Sequence, residues 1–486
     1  MIRLKNIFLA PVFAISAFAL GQGTFTSNSY SQTYAGPSSS ISKEVAAPEK
    51  LLSAKELFDI NLNAMMDDPV LRNADWGFVV YDPSTKKVIS SYNEKTPFIA
   101  ASTTKLLTTE TAINLLGTNF RWITQLEHSG TIDENGVLNG NLYIVGSGDP
   151  TLGTNKAGAS SYGSIVSDFI YAMNEKGIKK VSGDIIMQTA VFKANKTQTL
   201  PENIVWLENG SYYLPAGSTE EINPQNEKLI AKKNNPFSDN KNFYYISPYI
   251  RKMVYADKFE GKSLTTKVAD PPAYLANTLR TTMLKKGIPV SGKVVTKIAE
   301  NNPEPRVKIT DYSSPLLGDI VYYINQRSDN ALSEATLRMV GFQKNGDQTL
   351  ESGRSVVMEH LRSISFDTEG LNYMDGSGLS RGNVVTPIAQ AKFLTSLMKQ
   401  NYFKTYFDSL PIAGQTGTLK SMFQGEGYGQ IFAKTGTLNK VKTLAGYMHT
   451  NSGKTLVFSL LINNYGGSVD MVKNRMEKIL KPALNL

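Results

Sequence analysis

The residues with the clearest chemical potential are a serine and a lysine placed three positions apart. A serine hydroxyl is a poor nucleophile until a neighbouring base takes its proton. Ser102 and Lys105 would lie on the same face of a helix, one turn apart. Ser102 would also lie near the helix N-terminus, where the backbone dipole favours developing negative charge. The spacing therefore predicts a serine nucleophile with a lysine as its base.

The same spacing occurs at four other places, so it indicates little on its own. Ser40 lies in a Ser- and Thr-rich stretch, Ser84 in a predicted hairpin turn, and Ser238 in a polar, asparagine-rich stretch. Ser396 lies late in a predicted helix, without a strand or a glycine loop beside it. Ser102 is favoured because two further strings accompany it.

The first of these strings is Ser328-Asp329-Asn330, which directly precedes an amphipathic run, and the second is Lys434-Thr435-Gly436-Thr437, which ends an apolar strand. A decoy of the first occurs at residues 238–240, whereas the echo at Thr416-Gly417 has Gln415 in the position of the lysine. Ser102, Ser328 and Lys434 follow the chain order of the S-x-x-K, S-D-N and K-T-G signatures of serine acyl-enzymes that react with penicillin.

The elements that must position these residues form an α/β (α+β) pattern. Strands at Trp76–Tyr81 and Val88–Tyr92 precede a helix that ends near Gly117, and helices and strands return after Ser314. Short strands interrupted by Gly, Asn and Pro lie between these parts. We therefore expect a catalytic domain from residues 50–120 and 307–486, split by a mostly β insertion of one or two domains at 121–306. The echo of Thr-Gly-Thr-Leu is the only internal repeat that we recognise.

The N-terminus indicates export. Arg3 and Lys5 precede an uncharged, mainly apolar stretch of fourteen residues, which is too short to span a bilayer comfortably. We expect residues 1–21 to be a cleaved signal peptide and residues 22–49 to be a flexible tether. The expected location is exported, periplasmic or associated with the cell envelope, and peripheral to the membrane at most.

Composition excludes several other classes. The chain has 486 residues, of which 41% are apolar and 19% charged, so it is not mainly disordered. It has no cysteine and only three histidines, which leaves little material for a metal site. The net charge of +9 is spread along the chain and favours an anionic polymer only weakly. We expect no metal, no cofactor and no nucleic-acid partner.

Over nearly the whole mature chain, the sequence resembles the D-alanyl-D-alanine carboxypeptidase/endopeptidase (DacB-like) family, the class C low-molecular-mass penicillin-binding proteins. The 226-residue separation of Ser102 from Ser328 matches the family's habit of inserting domains there, and the match is loose only at Trp206–Asn226. The resemblance implies a penicillin-binding, serine β-lactamase-like transpeptidase domain. The strings that carry it are Ala101–Thr108, Gly146–Leu152, Ser313–Leu316, Ser328–Asn330, Asp375–Arg381, Leu410–Gly414 and Lys434–Leu438.

The resemblance implies peptidoglycan peptides ending in D-Ala-D-Ala as substrates and β-lactams as covalent inhibitors. Ser102 would attack the penultimate carbonyl after Lys105 accepts its proton, and Ser328 would pass a proton to the leaving amine. Asn330 would hold Lys105 and the substrate amide. Lys434, Thr435 and Thr437 would bind the free carboxylate. Gly436 would leave room for the substrate, and the backbone N–H groups of Ser102 and Thr437 would form the oxyanion hole.

Outside these strings, the resemblance implies that Arg381 faces the side chain of the stem peptide, near Leu438 and Asn439. Asp149 precedes a proline, a position in which an aspartate typically forms a turn. Glu208 and Tyr212 could belong to the substrate cleft, but the weak match around them supports no firmer assignment.

Three alternatives stay open. The string Gly378–Gly382 fits the G-x-S-x-G elbow of α/β-hydrolases, which needs a strand before it and a helix after it, with His449 as the only histidine downstream. A β-lactamase would share all three signatures and would differ in how fast it hydrolyses the penicilloyl-enzyme. A non-catalytic, peptidoglycan-binding or sensing relative would keep the fold without the turnover.

Overall fold

The computed structural model describes residues 52–189, 271–297 and 303–486, together with five short strands between residues 205 and 255. The ten helices of this described part are numbered in chain order. They are α1 (Ala54–Met66), α2 (Lys105–Leu116), α3 (Tyr162–Glu175), α4 (Pro271–Lys285), α5 (Leu317–Arg327), α6 (Asn330–Asn345), α7 (Leu350–Ser363), α8 (Pro387–Leu397), α9 (Phe403–Asp408) and α10 (Val469–Leu480).

The strands of the same described part number twenty. They are β1 (Asp75–Asp82), β2 (Lys87–Tyr92), β3 (Phe98–Ile99), β4 (Ile123–His128), β5 (Thr131–Ile132), β6 (Val137–Asn139), β7 (Leu142–Gly146), β8 (Lys180–Val181), β9 (Ile185–Thr189), β10 (Val205–Trp206), β11 (Tyr212–Tyr213), β12 (Leu229–Ala231), β13 (Phe243–Ile246), β14 (Met253–Tyr255), β15 (Val294–Lys297), β16 (Val307–Ser313), β17 (Val384–Val385), β18 (Ile431–Leu438), β19 (Val441–His449) and β20 (Thr455–Asn463).

The catalytic signatures are organised around an antiparallel sheet with the strand order β18-β19-β20-β1-β2. Successive side chains of a strand point to opposite faces. Phe78 and Val80 of β1 therefore pack into a first core, while Val79 packs into a second core on the other face. Both faces of the sheet are covered, which explains the continuous apolar runs of its central strands. The strand β18, which carries Lys434, lies at one edge of this sheet.

Different helices pack against the two faces of the sheet. Phe58 of α1 and Val472 of α10 pack into the first core, together with the C-terminal segment. Ile113 of α2, Ile320 of α5 and Leu394 of α8 pack into the second. The helix that follows Ser102 therefore lies in the middle of the second core, and its first turn reaches the sheet edge.

The inserted section contains its own sheet, with the order β15-β9-β7-β4-β16. It also contains α3 and α4, two helices that the sequence analysis does not anticipate in a mostly β insertion. Their apolar faces pack with the sheet in a third core, which includes Phe169 and Leu279. Strand β16 begins at Val307, beyond the boundary drawn at residue 306, but it pairs with β4 and so belongs to this sheet.

A structural repeat in this section escapes the sequence analysis. Val181-Ser182-Gly183 and Val290-Ser291-Gly292 precede the parallel strands β9 and β15, and Val181 is bridged to Val290. The Gly292 N–H donates to the carbonyl of Gly183 at 3.1 Å. A Cβ atom on Gly292 would lie 2.4 Å from that carbonyl oxygen, so the stacking requires glycine. Lys-Gly-Ile precedes both copies, at residues 176–178 and 286–288.

Within the part of the chain that the structure covers, every helix is too short or too polar to cross a bilayer. The segments assigned above to a signal peptide and a tether lie outside the described residues.

Candidate active site

Ser102 and Lys105 lie at the point where the chain turns into α2. Residues Ala101–Thr104 form a 3₁₀ turn that continues directly into the helix at Lys105. The Lys105 Nζ atom lies 3.1 Å from the Ser102 Oγ atom. Ala101 has a φ of +47°, in the left-handed region that disfavours residues with a side chain. The residue directly before the serine therefore has a backbone conformation that the surrounding structure must stabilise.

The Lys105 side chain is fully buried. Its Nζ atom donates to the Asn330 Oδ1 atom and to the Ser377 carbonyl, both at 2.6 Å. Asn330 is the first residue of α6, 225 positions away in sequence, and the expectation that it holds Lys105 agrees with this geometry. Three elements thus converge on one amine.

The loop that supplies the Ser377 carbonyl is held by two carboxylates to which the sequence analysis assigns no role. Glu334 of α6 accepts hydrogen bonds from the N–H groups of Gly376 and Ser377, at 3.2 and 2.9 Å. Asp375 accepts from Gly378 and Ser380. Burial, with the nearby Asp375 carboxylate, raises the pKa of Glu334. Asp375 could have been found from the sequence, because it opens the string Asp375–Arg381. No motif around Glu334 indicates its role.

Ser328 lies between two helices. It ends α5 in the left-handed conformation, with a φ of +57°, and Asp329 then caps α6 by accepting from the Leu332 N–H at 2.9 Å. The buried Asp329 carboxylate also forms an ion pair with Lys156 of the inserted section. The short turn that presents the Ser328 hydroxyl is therefore fixed from both sides.

Lys434 of β18 completes the expected group. Its side chain is fully buried, and its Nζ atom donates to the Ser328 Oγ atom at 2.9 Å and to the Thr435 carbonyl at 2.8 Å. Burial, followed by the charges of Lys105 and Lys442, holds the pKa of Lys434 well below its usual range. The three signatures thus meet in one crevice, with Lys434 near Lys105 and away from solvent.

The residues of β18 that follow Lys434 allow the strand to lie close to Ser102. A Cβ atom on Gly436 would lie 2.9 Å from the Ser102 backbone nitrogen and 2.1 Å from the Thr443 Oγ1 atom. Only glycine fits there. Thr435 donates to the Thr418 hydroxyl at 2.7 Å. Thr418 belongs to Thr416–Leu419, the repeat that has Gln415 in place of the lysine. This repeat therefore lies next to the Lys434-Thr435-Gly436 signature.

Thr437 is exposed at the outer end of this strand. Its Oγ1 atom accepts a hydrogen bond at 2.6 Å from the buried Lys442 of β19. The sequence analysis does not include Lys442, although a lysine inside the apolar run Val441–Met448 was a signal that could have found it.

Arg381 lies across from the same strand end. Its guanidinium donates to the Asn439 carbonyl at 2.9 Å, and both side chains are exposed. Leu438, the last residue of β18, is half-buried next to them. The structure therefore brings Arg381, Leu438 and Asn439 together at one rim of the cleft.

Other sequence candidates lie elsewhere. The Ser396 hydroxyl donates to the Phe393 carbonyl within its own helix. The segment 378–382 is a loop without the strand and helix that a nucleophile elbow needs, and His449 contacts Thr455, not Ser380. These observations do not support the α/β-hydrolase alternative.

Asp149 accepts from the backbone and the hydroxyl of Thr151, at 2.7 and 2.6 Å. Its role as a turn former is confirmed. Burial raises the pKa of this carboxyl.

The remaining sequence candidates lie outside the described residues: Ser40, Ser238, the decoy at residues 238–240, Glu208 and the side chain of Tyr212. Among the side chains that the structure does describe, no group of three or more His, Asp or Glu is arranged to hold a metal ion.

Comparisons with known proteins agree with this geometry. The sequence matches the D-Ala-D-Ala carboxypeptidase 3 (S13) family over residues 58–223 and 253–483. It is 27% identical to a D-alanyl-D-alanine carboxypeptidase of Actinomadura sp. (strain R39), over 84% of this chain and 81% of that one. It is 26% identical to the D-alanyl-D-alanine carboxypeptidase DacB of Haemophilus influenzae, over 80% of this chain and 85% of that one.

The fold resembles the crystal structure of penicillin binding protein 4 (DacB) from Haemophilus influenzae. The TM-score is 0.64 at 22% identity, covering 87% of this chain and 98% of that one. The mixed helix-and-sheet architecture expected from the sequence is therefore confirmed. The family match spans most of the chain, and the residues of the three signatures lie together near Ser102. The chain therefore belongs to the D-Ala-D-Ala carboxypeptidase 3 (S13) family of serine peptidases.

Proposed function

We propose that this enzyme hydrolyses peptidoglycan stem peptides ending in D-Ala-D-Ala, as a carboxypeptidase and an endopeptidase, through an acyl-enzyme on Ser102. The observation that carries the proposal is the buried Lys105 amine, 3.1 Å from the Ser102 hydroxyl, in the crevice where Lys434 contacts Ser328. A hydroxyl, a base and a second alcohol within hydrogen-bond reach are what acyl transfer through a serine needs.

In the first step, Lys105 accepts the Ser102 proton as the Oγ atom attacks the penultimate carbonyl. The fully buried Lys105 amine lies within hydrogen-bond distance of the hydroxyl whose proton it takes. The backbone N–H groups of Ser102 and Thr437 stabilise the negative charge on the carbonyl oxygen. Gly436 supports this arrangement, because it allows the strand to lie against the Ser102 backbone.

In the second step, the bond to the terminal D-alanine breaks and its nitrogen takes a proton from Ser328. Ser328, held by Lys434, regains the proton that Lys105 took from Ser102, so both lysines end the step in the protonation state in which they began it. Water then attacks the ester carbon, and its proton returns through Lys105 as Ser102 leaves. A β-lactam would form the same ester by opening of its ring, and slow attack of water would make it an inhibitor.

Substrate choice would come from the β18 edge. Lys434, Thr435 and Thr437 bind the terminal carboxylate, a charge-assisted contact that distinguishes a chain end from a chain middle. Arg381, held against Asn439 at the rim, faces the third residue of the stem peptide together with Leu438. Family members are cell-wall enzymes, and the apolar stretch near the N-terminus supports a periplasmic or envelope location for this one.

The first prediction concerns the nucleophile. Ser102→Ala should abolish covalent labelling by a fluorescent penicillin and should lower D-alanine release from a pentapeptide by more than about 10³-fold, because it removes the hydroxyl that forms the ester. Labelling is read by gel fluorescence, and the acylated peptide is identified by mass spectrometry.

Ser396→Ala is the matched control, since it removes a serine with the same spacing to a lysine and should leave labelling unchanged. Labelling that survives Ser102→Ala would contradict the proposal. Normal acylation of the wild type without D-alanine release would indicate a binding protein, and rapid hydrolysis of the penicilloyl ester would indicate a β-lactamase.

A further inference from the structure

A buried cation lies directly behind the hydroxyl of Thr437. Lys442 occupies the position opposite Thr437 in the β18–β19 register, so the two side chains share a face of the sheet. The Lys442 side chain is only 5% exposed, and its Nζ atom donates to the Thr437 Oγ1 atom at 2.6 Å. Thr437, by contrast, is exposed.

The donors and acceptors of Lys442 and Thr437 determine the direction of the Thr437 hydroxyl proton. An ammonium group has three donors and no acceptor, whereas a threonine hydroxyl has one donor and two acceptor lone pairs. While Lys442 is charged, the Thr437 oxygen must accept from it. The hydroxyl proton of Thr437 is then free to point away from Lys442, as a donor to an anion in the cleft.

The charge of Lys442 responds to several neighbours. Burial, followed by the charge of Lys473 on α10, lowers the pKa of Lys442 to about 8, and Asp470 on the same helix opposes this shift. Lys434 on β18 is also close enough for the charge of Lys442 to lower its pKa. Lys440, nearby in the turn, is directed to the Gly467 carbonyl and the Tyr465 ring.

We propose that Lys442 is a positioning residue for substrate recognition: it makes the Thr437 hydroxyl a donor to the terminal carboxylate of the peptide and adds a positive charge behind it. This inference rests on the proposed function. It explains why an otherwise apolar strand carries a buried lysine at this position. Above about pH 8, the neutral amine can accept from Thr437, and the hydroxyl proton turns away from the substrate.

The test compares Lys442→Met with the wild type on a peptide ending in D-Ala-D-Ala at about pH 7. Methionine keeps the length of the side chain and removes the donor. We expect KM to rise about 10-fold with kcat changed less than about twofold, as befits loss of one charge-assisted contact to the bound carboxylate. The exposed Lys454→Met, in the turn between β19 and β20, is the control and should leave both constants unchanged.

Two further readouts separate this role from a merely structural one. In a Thr437→Val background, Lys442→Met should raise KM much less than it does in the wild type, because Lys442 acts mainly through the Thr437 hydroxyl and only its charge remains to be lost. The preference for the peptide over its C-terminal amide should fall about 10-fold in Lys442→Met. An unchanged KM, an unchanged preference or additive effects in the double variant would overturn the inference.

Lys442→Arg provides a test that does not depend on the stability of the methionine variant. Arginine keeps a donor-only cation that does not lose its proton in this range, so KM at about pH 9 should stay near its value at about pH 7 while that of the wild type rises. A rise equal to the wild type's would overturn the proposal. If the wild type fails to release D-alanine, or Ser102→Ala still releases it, the proposed function itself fails before Lys442 is compared.

Discussion

At the scale of single residues, the cleft is unusual in the way that it holds positive charge. The hydrogen bonds of Lys434 go to a hydroxyl and a backbone carbonyl, and that of Lys442 goes to a hydroxyl. Neutral oxygens solvate an ammonium without cancelling its charge. At a pH below about 8, the charge of Lys442 therefore stays available to an incoming carboxylate, which is the group that a carboxypeptidase must recognise.

The carboxylate of Glu334 affects catalysis indirectly, through the loop that holds the Lys105 amine. Glu334→Gln replaces one acceptor oxygen by an NH₂ group, which would face an N–H donor of the Gly376–Ser377 turn. Since the Ser377 carbonyl holds Lys105, we expect kcat and the rate of penicillin acylation to fall about 10-fold or more. Stopped-flow measurement of acylation checks this prediction.

Glu359→Gln is the matched control, because Glu359 is exposed on α7 and its change should leave acylation within experimental error. Acylation by Glu334→Gln at the wild-type rate would show that the turn holds its shape without the carboxylate.

At the scale of elements, the active site depends on the insertion as well as on the catalytic sheet. The short turn Lys156–Gly158 reaches α5, and Lys156 contacts Asp329 in the serine-aspartate-asparagine signature. The segment around Lys156 is therefore part of the support for Ser328.

Lys156→Met tests this support. It leaves the Asp329 carboxylate, which is 5% exposed, without its cation, so the left-handed turn at Ser328 should relax. We expect a loss of about 1–2 kcal/mol in the free energy of unfolding, reduced from the value for fully buried pairs because Lys156 is one-third exposed. We also expect kcat to fall about 10-fold. Urea unfolding and D-alanine release measure the two effects.

Lys308→Met removes the exposed ion pair with Asp311 on β16 and serves as the control, with an expected change below about 0.5 kcal/mol. Equal effects of the two substitutions would argue against a special role for the contact between Lys156 and Asp329.

At the scale of the whole molecule, buried charge in the cleft should reduce stability. A lysine whose pKa is lowered on folding binds fewer protons in the folded than in the unfolded state between the two pKa values. Stability then rises with pH across that interval. For Lys442 the interval runs from about 8 to the ordinary value of 10.5.

Lys442→Met should therefore stabilise the protein at about pH 7, by as much as about 3 kcal/mol, while it weakens substrate binding. The difference from the wild type should shrink as the pH rises from about 8 towards 10.5, because the wild type gains stability there and the variant does not. Urea unfolding at a series of pH values from about 7 to about 10 measures this difference. A difference that is constant with pH would mean that Lys442 keeps its charge.

Local sequence determined the parts of the protein that depend on neighbours along the chain. The spacing of Ser102 and Lys105 is a property of one helical turn, and the strands and helices around them follow from periodicity and from breakers such as Gly117. The order of three short strings then sufficed to place Ser102, Ser328 and Lys434 in one site. That order matches the signatures of penicillin-reactive serine acyl-enzymes, and this match, not local geometry, predicted that the three residues meet.

Tertiary structure decided whatever depends on which strands and loops meet. The pairing of β16 with β4, the stacked turns at Gly183 and Gly292, and the contact of Lys156 with Asp329 join residues that no local pattern links. Lys442 stands out in sequence only as a lysine within an apolar run, and Glu334 reads as a polar residue on a helix. They acquire a role only from register and burial, because a cross-strand neighbour and a desolvated charge exist only once the chain has folded.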